Sequence, residues 1–181
     1  LGKCANLKID INIVKSDVLW LPQEIILFNN CNFARRINLN LDIFSNLVMC
    51  ETTIFGRTSM QETVERGYFS DLWQINLDEK SLHAEAINFS GEIKEFITNK
   101  TNLNDKYAVN TILIIGKEFI KKAELLDINK YENKNVKIAI SHWDNKILIR
   151  SIGNNSYYLK FAIVKILTYF LGDNLPNVWN S

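Results

Sequence analysis

Nothing in this chain offers a disulfide framework, a zinc cage or a membrane span. Its three cysteines, Cys4, Cys31 and Cys50, are odd in number, far apart and form no Cys-x-x-Cys pair. They read as small buried hydrophobes in a reducing compartment. No apolar run is long enough to cross a bilayer, and no basic segment precedes an apolar export signal. Cytoplasm is therefore the expected location. Excess charge is missing as well: the net charge is +1 over 181 residues, and the basic residues are scattered. No long-range field draws nucleic acid or an anionic membrane, so neither is expected as a partner. Catalytic signatures are also absent: no nucleophile elbow, P-loop, glycine-rich phosphate loop or Ser-His-Asp order. The two histidines, His83 and His142, do not stand at a ligand-pair spacing.

What remains is an ordinary globular composition, 47% apolar and 23% charged, in a chain long enough to bury a substantial core. Leu7, Ile9, Ile11 and Ile13 alternate with polar residues, and so do Ile37, Leu39, Leu41 and Ile43. Both patterns predict strands. "LVMCETTIF" (47–55), "YFSDLWQINL" (68–77) and "SLHAEAINF" (81–89) add three more, the last two joined by the turn-like "DEK". No helical stripe is evident before residue 92, so residues 1–91 form a mainly-β region of all-β sheets. The polar stretch 92–106 reads as a connector opening with a short helical turn. Residues 107–181 change character, to β-α-β-β-α. "YAVNTILIIG" is a strand, 117–133 a helix, and two further strands flank Asp144-Asn145, a tight hairpin signal. A closing helix follows, with Ser156 as N-cap and Gly172 as C-cap. The fold class is mainly β with an α+β C-terminal part, helices on one face of an antiparallel sheet.

One of only two prolines interrupts "SDVLWLPQEIILF" (16–28). It places Pro22, Gln23 and Glu24 between two apolar runs, and this implies a local strand break. Alternation also puts Glu51 on one side with Leu47, Met49 and Phe55, and it puts Glu85 on one side with His83, Ile87 and Phe89. A carboxylate among apolar neighbours must be protonated, paired with a cation or set in a wet cavity. Arg35 and Arg57 are available partners, so a structural ion pair is one reading. A polar conduit for a metal ion taking hard ligands is another, with Glu51, Glu85 and His83 as the ligand candidates. His142, beside Trp143 at the hairpin, reads as a turn-flanking residue. The tryptophan stretches of the body read as packing, whereas Trp179 anchors either the tail or a partner.

Several stretches, in order, resemble the urease accessory protein family D (called H in some bacteria). "LWLPQEIILF" is similar to its Leu-Glu-Trp-Leu-Pro-Gln-Glu/Asp hallmark, with Leu19 in place of the acidic residue. "LVMCETTIFGRTSMQE" is similar to its Trp-Asp, Gly-Arg and Gly-Glu succession, with Cys50 for the tryptophan and Gln61 for the glycine. "LHAEAINF" and the tail "LPNVW" match the later strand and the ending. The resemblance implies a mainly-β, non-enzymatic chaperone of urease maturation. Such a protein binds apo-urease and the accessory proteins F and G, holds no permanent cofactor, and passes nickel transiently toward the urease active site. By position it assigns Glu51 and Glu85 to the metal path. It gives Pro22, Gln23, Glu24, Arg57, Glu62 and Trp179 to the family's recognition segments. The Gln23 amide is then expected to face a cavity at the strand break. The resemblance also implies that the front part of the family's chain is missing here. A hydrolase using two carboxylates, or a plain β-rich interaction module, are the other readings. The hydrolase needs its carboxylates roughly 5–9.5 Å apart across an open cleft.

Overall fold

The computed structural model describes residues 3–56, 62 and 64–179. Among the described residues, ten strands and three α-helices build a four-stranded sheet, a second sheet behind it, and a layer of two of the helices on the far face of that second sheet, the remaining helix closing one end of the space between the sheets.

The chain winds between the sheets before it settles. β1 (Ala5–Ile13) lies in the first sheet, and β2 (Asp17–Trp20) and β3 (Ile25–Leu27) lie in the second. β4 (Cys31–Leu41) returns to the first and β5 (Asn46–Phe55) goes back to the second. β6 (Arg66–Leu77) and β7 (Lys80–Glu92) then close the first sheet in the order β1-β4-β6-β7. Because each turn of the winding lies on the one before, β1, β4 and β6 pair in parallel, and so do β2 and β3 with β5. Parallel neighbours need such crossovers, and here the opposite sheet supplies them in place of helices. β6 and β7 form an antiparallel hairpin through Asp78 and Glu79, both at positive φ. In-register amides cross-link the outer face of the parallel strands: Asn40 donates to Asn12 at 2.8 Å and Asn76 donates to Asn40 at 2.8 Å.

The connector carries α1 (Ile93–Thr98). β8 (Ala108–Ile115), β9 (Val136–Trp143) and β10 (Lys146–Gly153) then extend the second sheet, with β8 antiparallel to β5, β10 antiparallel to β8 and β9 antiparallel to β10. This sheet therefore joins strands from residues 1–91 to strands from residues 107–181. α2 (Lys117–Leu125) is shorter than the expected helix. Leu126 turns extended, and the Asp127 carboxylate accepts from Asn129 N to start a separate 3-10 turn. α3 (Ser156–Leu171) buries Leu159, Ile163, Ile166, Leu167 and Phe170. Its N-cap is Asn155 rather than Ser156, since the Asn155 side chain accepts from Tyr158 N at 3.1 Å. Gly172, at φ +56, ends it as expected.

β5 and β8 are buried on both faces, by the first sheet and by the helices. This sandwiched position explains why the apolar run of β8 has no polar alternation.

Candidate functional site

The space between the two sheets holds two separate apolar clusters. One gathers Ile37, Leu39, Leu47, Met49, Ile75 and Leu113, and the other Leu27, Phe55, Phe69, Ile93 and Ile97. A belt of polar side chains runs between them. The pleat explains its straightness, because each residue's neighbour on the next strand points to the same face. In the first sheet Arg35 is registered with Asp71, and Trp73 with Glu85. In the second, Glu51 is registered with Thr111, and Thr111 with Arg150. The two rows are joined across the sandwich at two points.

The inner junction is fully buried. Arg35 forks onto Asp71, with Nε 2.9 Å from Oδ1 and Nη2 2.6 Å from Oδ2. Its Nη1 reaches across to Glu51 Oε2 at 2.9 Å, and the side chains of Arg35, Glu51 and Asp71 are 4%, 4% and 2% exposed. The Glu51 contact is ionic only, because Oε2 has no aligned hydrogen-bond donor. Two indoles complete the group: Trp20 Nε1 donates to Glu51 Oε1 at 2.6 Å, and Trp73 Nε1 donates to Asp71 Oδ2 at 3.1 Å. Burial pushes the Glu51 carboxyl above its ordinary value, against the opposing pull of Arg35 and Trp20.

The outer junction lies near the β7 edge. Glu85 accepts from Arg150 Nη2 at 2.7 Å, and His83 Nε2 stands 3.5 Å from the same Oε2. Burial would raise the Glu85 carboxyl, but the pull of His83 beside it and the hydrogen bond from Arg150 outweigh it and hold the group below its ordinary value. A cavity of about 190 Å³ adjoins this junction, lined by Thr53, Phe55, Phe89, Phe96 and Thr111 besides Glu85 and Arg150.

At the other end, the strand break sits directly beside Glu51. β2 pairs with β5 up to Trp20 opposite Met49, and β3 resumes with Ile25 opposite Thr53. Four residues, 21–24, thus stand against the three of β5, 50–52, a bulge made by Pro22, which cannot donate to a ladder. The helix layer clamps the break. Trp179 Nε1 donates to Leu21 O at 3.1 Å, and Lys160 of α3 reaches Gln23 Oε1 at 3.3 Å and Glu24 Oε1 at 3.8 Å.

These positions decide several expectations. Glu51, Glu85 and His83 all face the inter-sheet space, and His83 and Glu85 come together. No group of three or more His, Cys, Asp or Glu side chains arranged for a metal occurs among the described residues. Gln23 is exposed and bound to Lys160, so its amide lies at the surface rather than in a cavity. Trp179 is 2% exposed in the helix-side core; it anchors the tail and presents no ring to a partner. Glu62 is half-buried and His142 is exposed beside its hairpin, while Arg57 lies outside the described residues. The hydrolase reading fails on geometry, because each carboxylate faces an arginine and Glu51 is sealed from solvent.

Asp71, Thr111 and Arg150 are members of the belt that the sequence alone does not single out, and Trp20 and Trp73, which read there as packing, are two more. Asp71 was detectable by the alternation that marked Glu51, since it shares a side with Phe69, Trp73 and Ile75. Trp20 and Arg150 carried no such signal, because only the pairing of distant strands brings them in.

Residues 2–180 match the family described as "UreD urease accessory protein". The chain is 28% identical over 179 residues to the urease accessory protein UreD of Rhodopseudomonas palustris strain HaA2, covering 98% of this chain and 63% of that protein. A second Rhodopseudomonas palustris relative of the same name is 30% identical over 181 residues, covering 99% and 64%. The Agrobacterium fabrum protein of that name is 31% identical over 164 residues, covering 89% of this chain and 56% of its own length. The chain thus spans less than two thirds of the length of these relatives.

Proposed function

The chain belongs to the UreD urease accessory protein family, and from that premise we propose that it serves urease maturation in the cytoplasm as a non-catalytic chaperone. It binds apo-urease together with the accessory proteins F and G, and it helps pass nickel to the urease active site. The observation that carries this reading is the polar belt, which crosses an otherwise greasy sandwich from the strand break to the cavity at Glu85. A cargo ion needs ligands that hold it briefly and release it. Carboxylates with one imidazole, His83, supply such contacts, whereas a thiolate cage would trap a transition metal. Cys50 is no such trap: burial pushes its thiol up to about 12, and it lies on the opposite face of β5, against Asn110.

Glu85 and His83 take the ion at the cavity, Thr111 offers a hydroxyl between the junctions, and Glu51 and Asp71 receive it at the core. Arg35 and Arg150 pair with the carboxylates and keep them aimed between cargo passages. Pro22, Gln23, Glu24, Arg57 and Glu62 belong to the segments that face partner proteins.

The test pairs capture with metal content. A tagged form of the chain retains apo-urease subunits. Urease matured with Glu51→Gln or Glu85→Gln contains less nickel than urease matured with the parent, at equal amounts of folded chaperone. Unchanged nickel content with both variants removes the conduit. Failure to capture urease removes the chaperone role for this chain.

A further inference from the structure

We propose that the outer edge of β2, with the groove flanking it on the helix side, docks an extended basic segment of a partner protein as an added strand. The inference rests on the partner-binding half of the chaperone reading and deepens it by naming a surface and the chemistry of what it takes. It does not involve the nickel path.

Among the described residues β2 pairs only with β5. The backbone groups of successive residues in a strand point to opposite sides. Asn46 N donates to Ser16 O, so Ser16, Val18 and Trp20 turn their backbone groups toward β5. The N–H and C=O groups of Asp17 and Leu19 therefore point outward, spaced for a further ladder. The next outward carbonyl, Leu21 O, is taken by the Trp179 indole at 3.1 Å, and Pro22 follows it. Both guard the edge against pairing from Leu21 onward. Asp17–Trp20 has no proline, lysine or bulge, so this guard stops where the open edge begins.

Side chains define the occupant. Val18 and Trp20 pack on the inter-sheet cluster. Asp17 and Leu19 turn the other way, toward a groove of about 360 Å³. Its floor is apolar, made by Leu19, Val48, Phe119 and Leu171, and its rim carries the carboxylates of Asp17 and Glu118. Leu19 is 38% exposed, an apolar group set out on an open edge. None of the lining residues is basic. Lys122, one turn along α2 from Glu118, donates to Phe170 O at 2.9 Å instead. Asp17 Oδ1 accepts from Asn46 Nδ2 at 2.8 Å, which aims the carboxylate without neutralising it. An added strand sets its side chains beside those of its neighbour. Against Asp17 and Leu19 it therefore presents a cation and, two residues on, an apolar group. The residue between them is apolar too, because it meets the Val18 and Trp20 face. A second copy of the chain would bring the same two carboxylates to the rim, and like charges repel there, so the groove selects a basic partner.

The probe is a fluorescein-labelled peptide, Thr-Lys-Val-Leu-Val-Lys-Thr, whose palindromic order fits the edge in either direction. Its binding to the full chain is followed by fluorescence anisotropy and by hydrogen exchange at the Asp17 and Leu19 amides. The same peptide with Glu in place of Lys is the control. The Lys peptide is expected to bind and to slow exchange at both amides, and the Glu peptide to bind about tenfold more weakly. Asp17→Lys combined with Glu118→Lys reverses that preference. Leu19→Pro removes an outward N–H and the apolar contact but spares the ladder to β5, as a proline on the free side of an edge does. It is expected to weaken the Lys peptide about tenfold. Each variant is checked for folding by circular dichroism. Equal binding of the two peptides, binding of neither, or a folded Leu19→Pro with parent affinity overturns the proposal. Should Leu19→Pro not fold, the charge-reversed variant decides alone. Light scattering reads the other occupant: an assembly lost in Leu19→Pro, with no peptide bound, gives the edge to a second copy and overturns the basic partner. The two readings fail separately. Peptide binding without capture of apo-urease sinks the chaperone role and keeps the site. Capture without peptide binding sinks the site and keeps the chaperone role.

Discussion

Glu85 sits where burial alone would raise its carboxyl, yet Arg150 and His83 hold it below its ordinary value of 4.5. A carboxyl depressed by folding stabilises the folded state above the unfolded value, and that contribution disappears as pH falls through the folded value. Glu85→Gln is therefore expected to cost about 1 kcal/mol at pH 7, a modest figure because Arg150 is exposed and screened. The cost vanishes in urea melts run well below pH 4.5; an equal cost at both pH values rules out the ion pair as its source. Glu51 behaves in the opposite sense, because folding raises its carboxyl. Its ionisation weakens the fold as pH climbs above its ordinary 4.5 toward the raised value. Hence Glu51→Gln costs less than Asp71→Asn in urea melts at pH 7. The second change breaks the fork and strands Arg35, for about 3–5 kcal/mol. The reverse ranking contradicts the unequal grip of Arg35 on its two partners.

Among the elements, those with a clear period were legible and those shaped by tertiary neighbours were not. β1, β4 and the β6–β7 hairpin follow polar–apolar alternation. α3 announces itself by a broad apolar face. By contrast, β2 and β3 have four and three residues, too few to establish a period, and the Pro22 bulge between them hides that they form one interrupted edge. α2 ends at Leu125 because an Asx contact at Asp127 wins over continued helix, a local choice that the apolar spacing of 117–133 does not reveal. The interrupted edge depends on its clamp. Trp179 fills the helix-side core and bonds Leu21 O. Trp179→Ala is expected to cost about 3–5 kcal/mol as a large-to-small core change. It should also speed hydrogen exchange of the Ile26 and Leu27 amides, next to the break, more than that of β9. Uniform acceleration across the second sheet would mean that the tail stabilises the protein without guarding the break.

For the whole molecule, the winding was the least legible feature, because parallel neighbours such as β4 and β6 are separated in sequence by a strand of the other sheet. The sequence marks each strand but not its partner. The asparagines illustrate this: Asn12, Asn40 and Asn76 look like compositional bias until register aligns them into one amide row. The same register made Glu51, the carboxylate visible from alternation, part of a belt whose other half lay on strands far away in sequence. The winding also has an outer turn. Among the described residues β1 pairs only with β4, so one side of its backbone ladder and its partly covered inner side chains face outward, with Leu7 44% exposed and Val14, just beyond the strand, 65% exposed. An edge of this length without bulge or proline templates pairing with another strand. The Asn12 row adds a ready register, since a further strand can join amide to amide. The chain alone is therefore expected to self-associate: its light-scattering mass should rise above 21.0 kDa with concentration. Leu7→Lys places a charge on the inward side of the edge and should return that mass to the monomer value, because a second strand laid on β1 would bury the ammonium unpaired. If Leu7→Lys associates as strongly as the parent, the contact lies elsewhere, and the exposed Ile43–Phe44 tip, 63% and 67% exposed, is the next surface to charge.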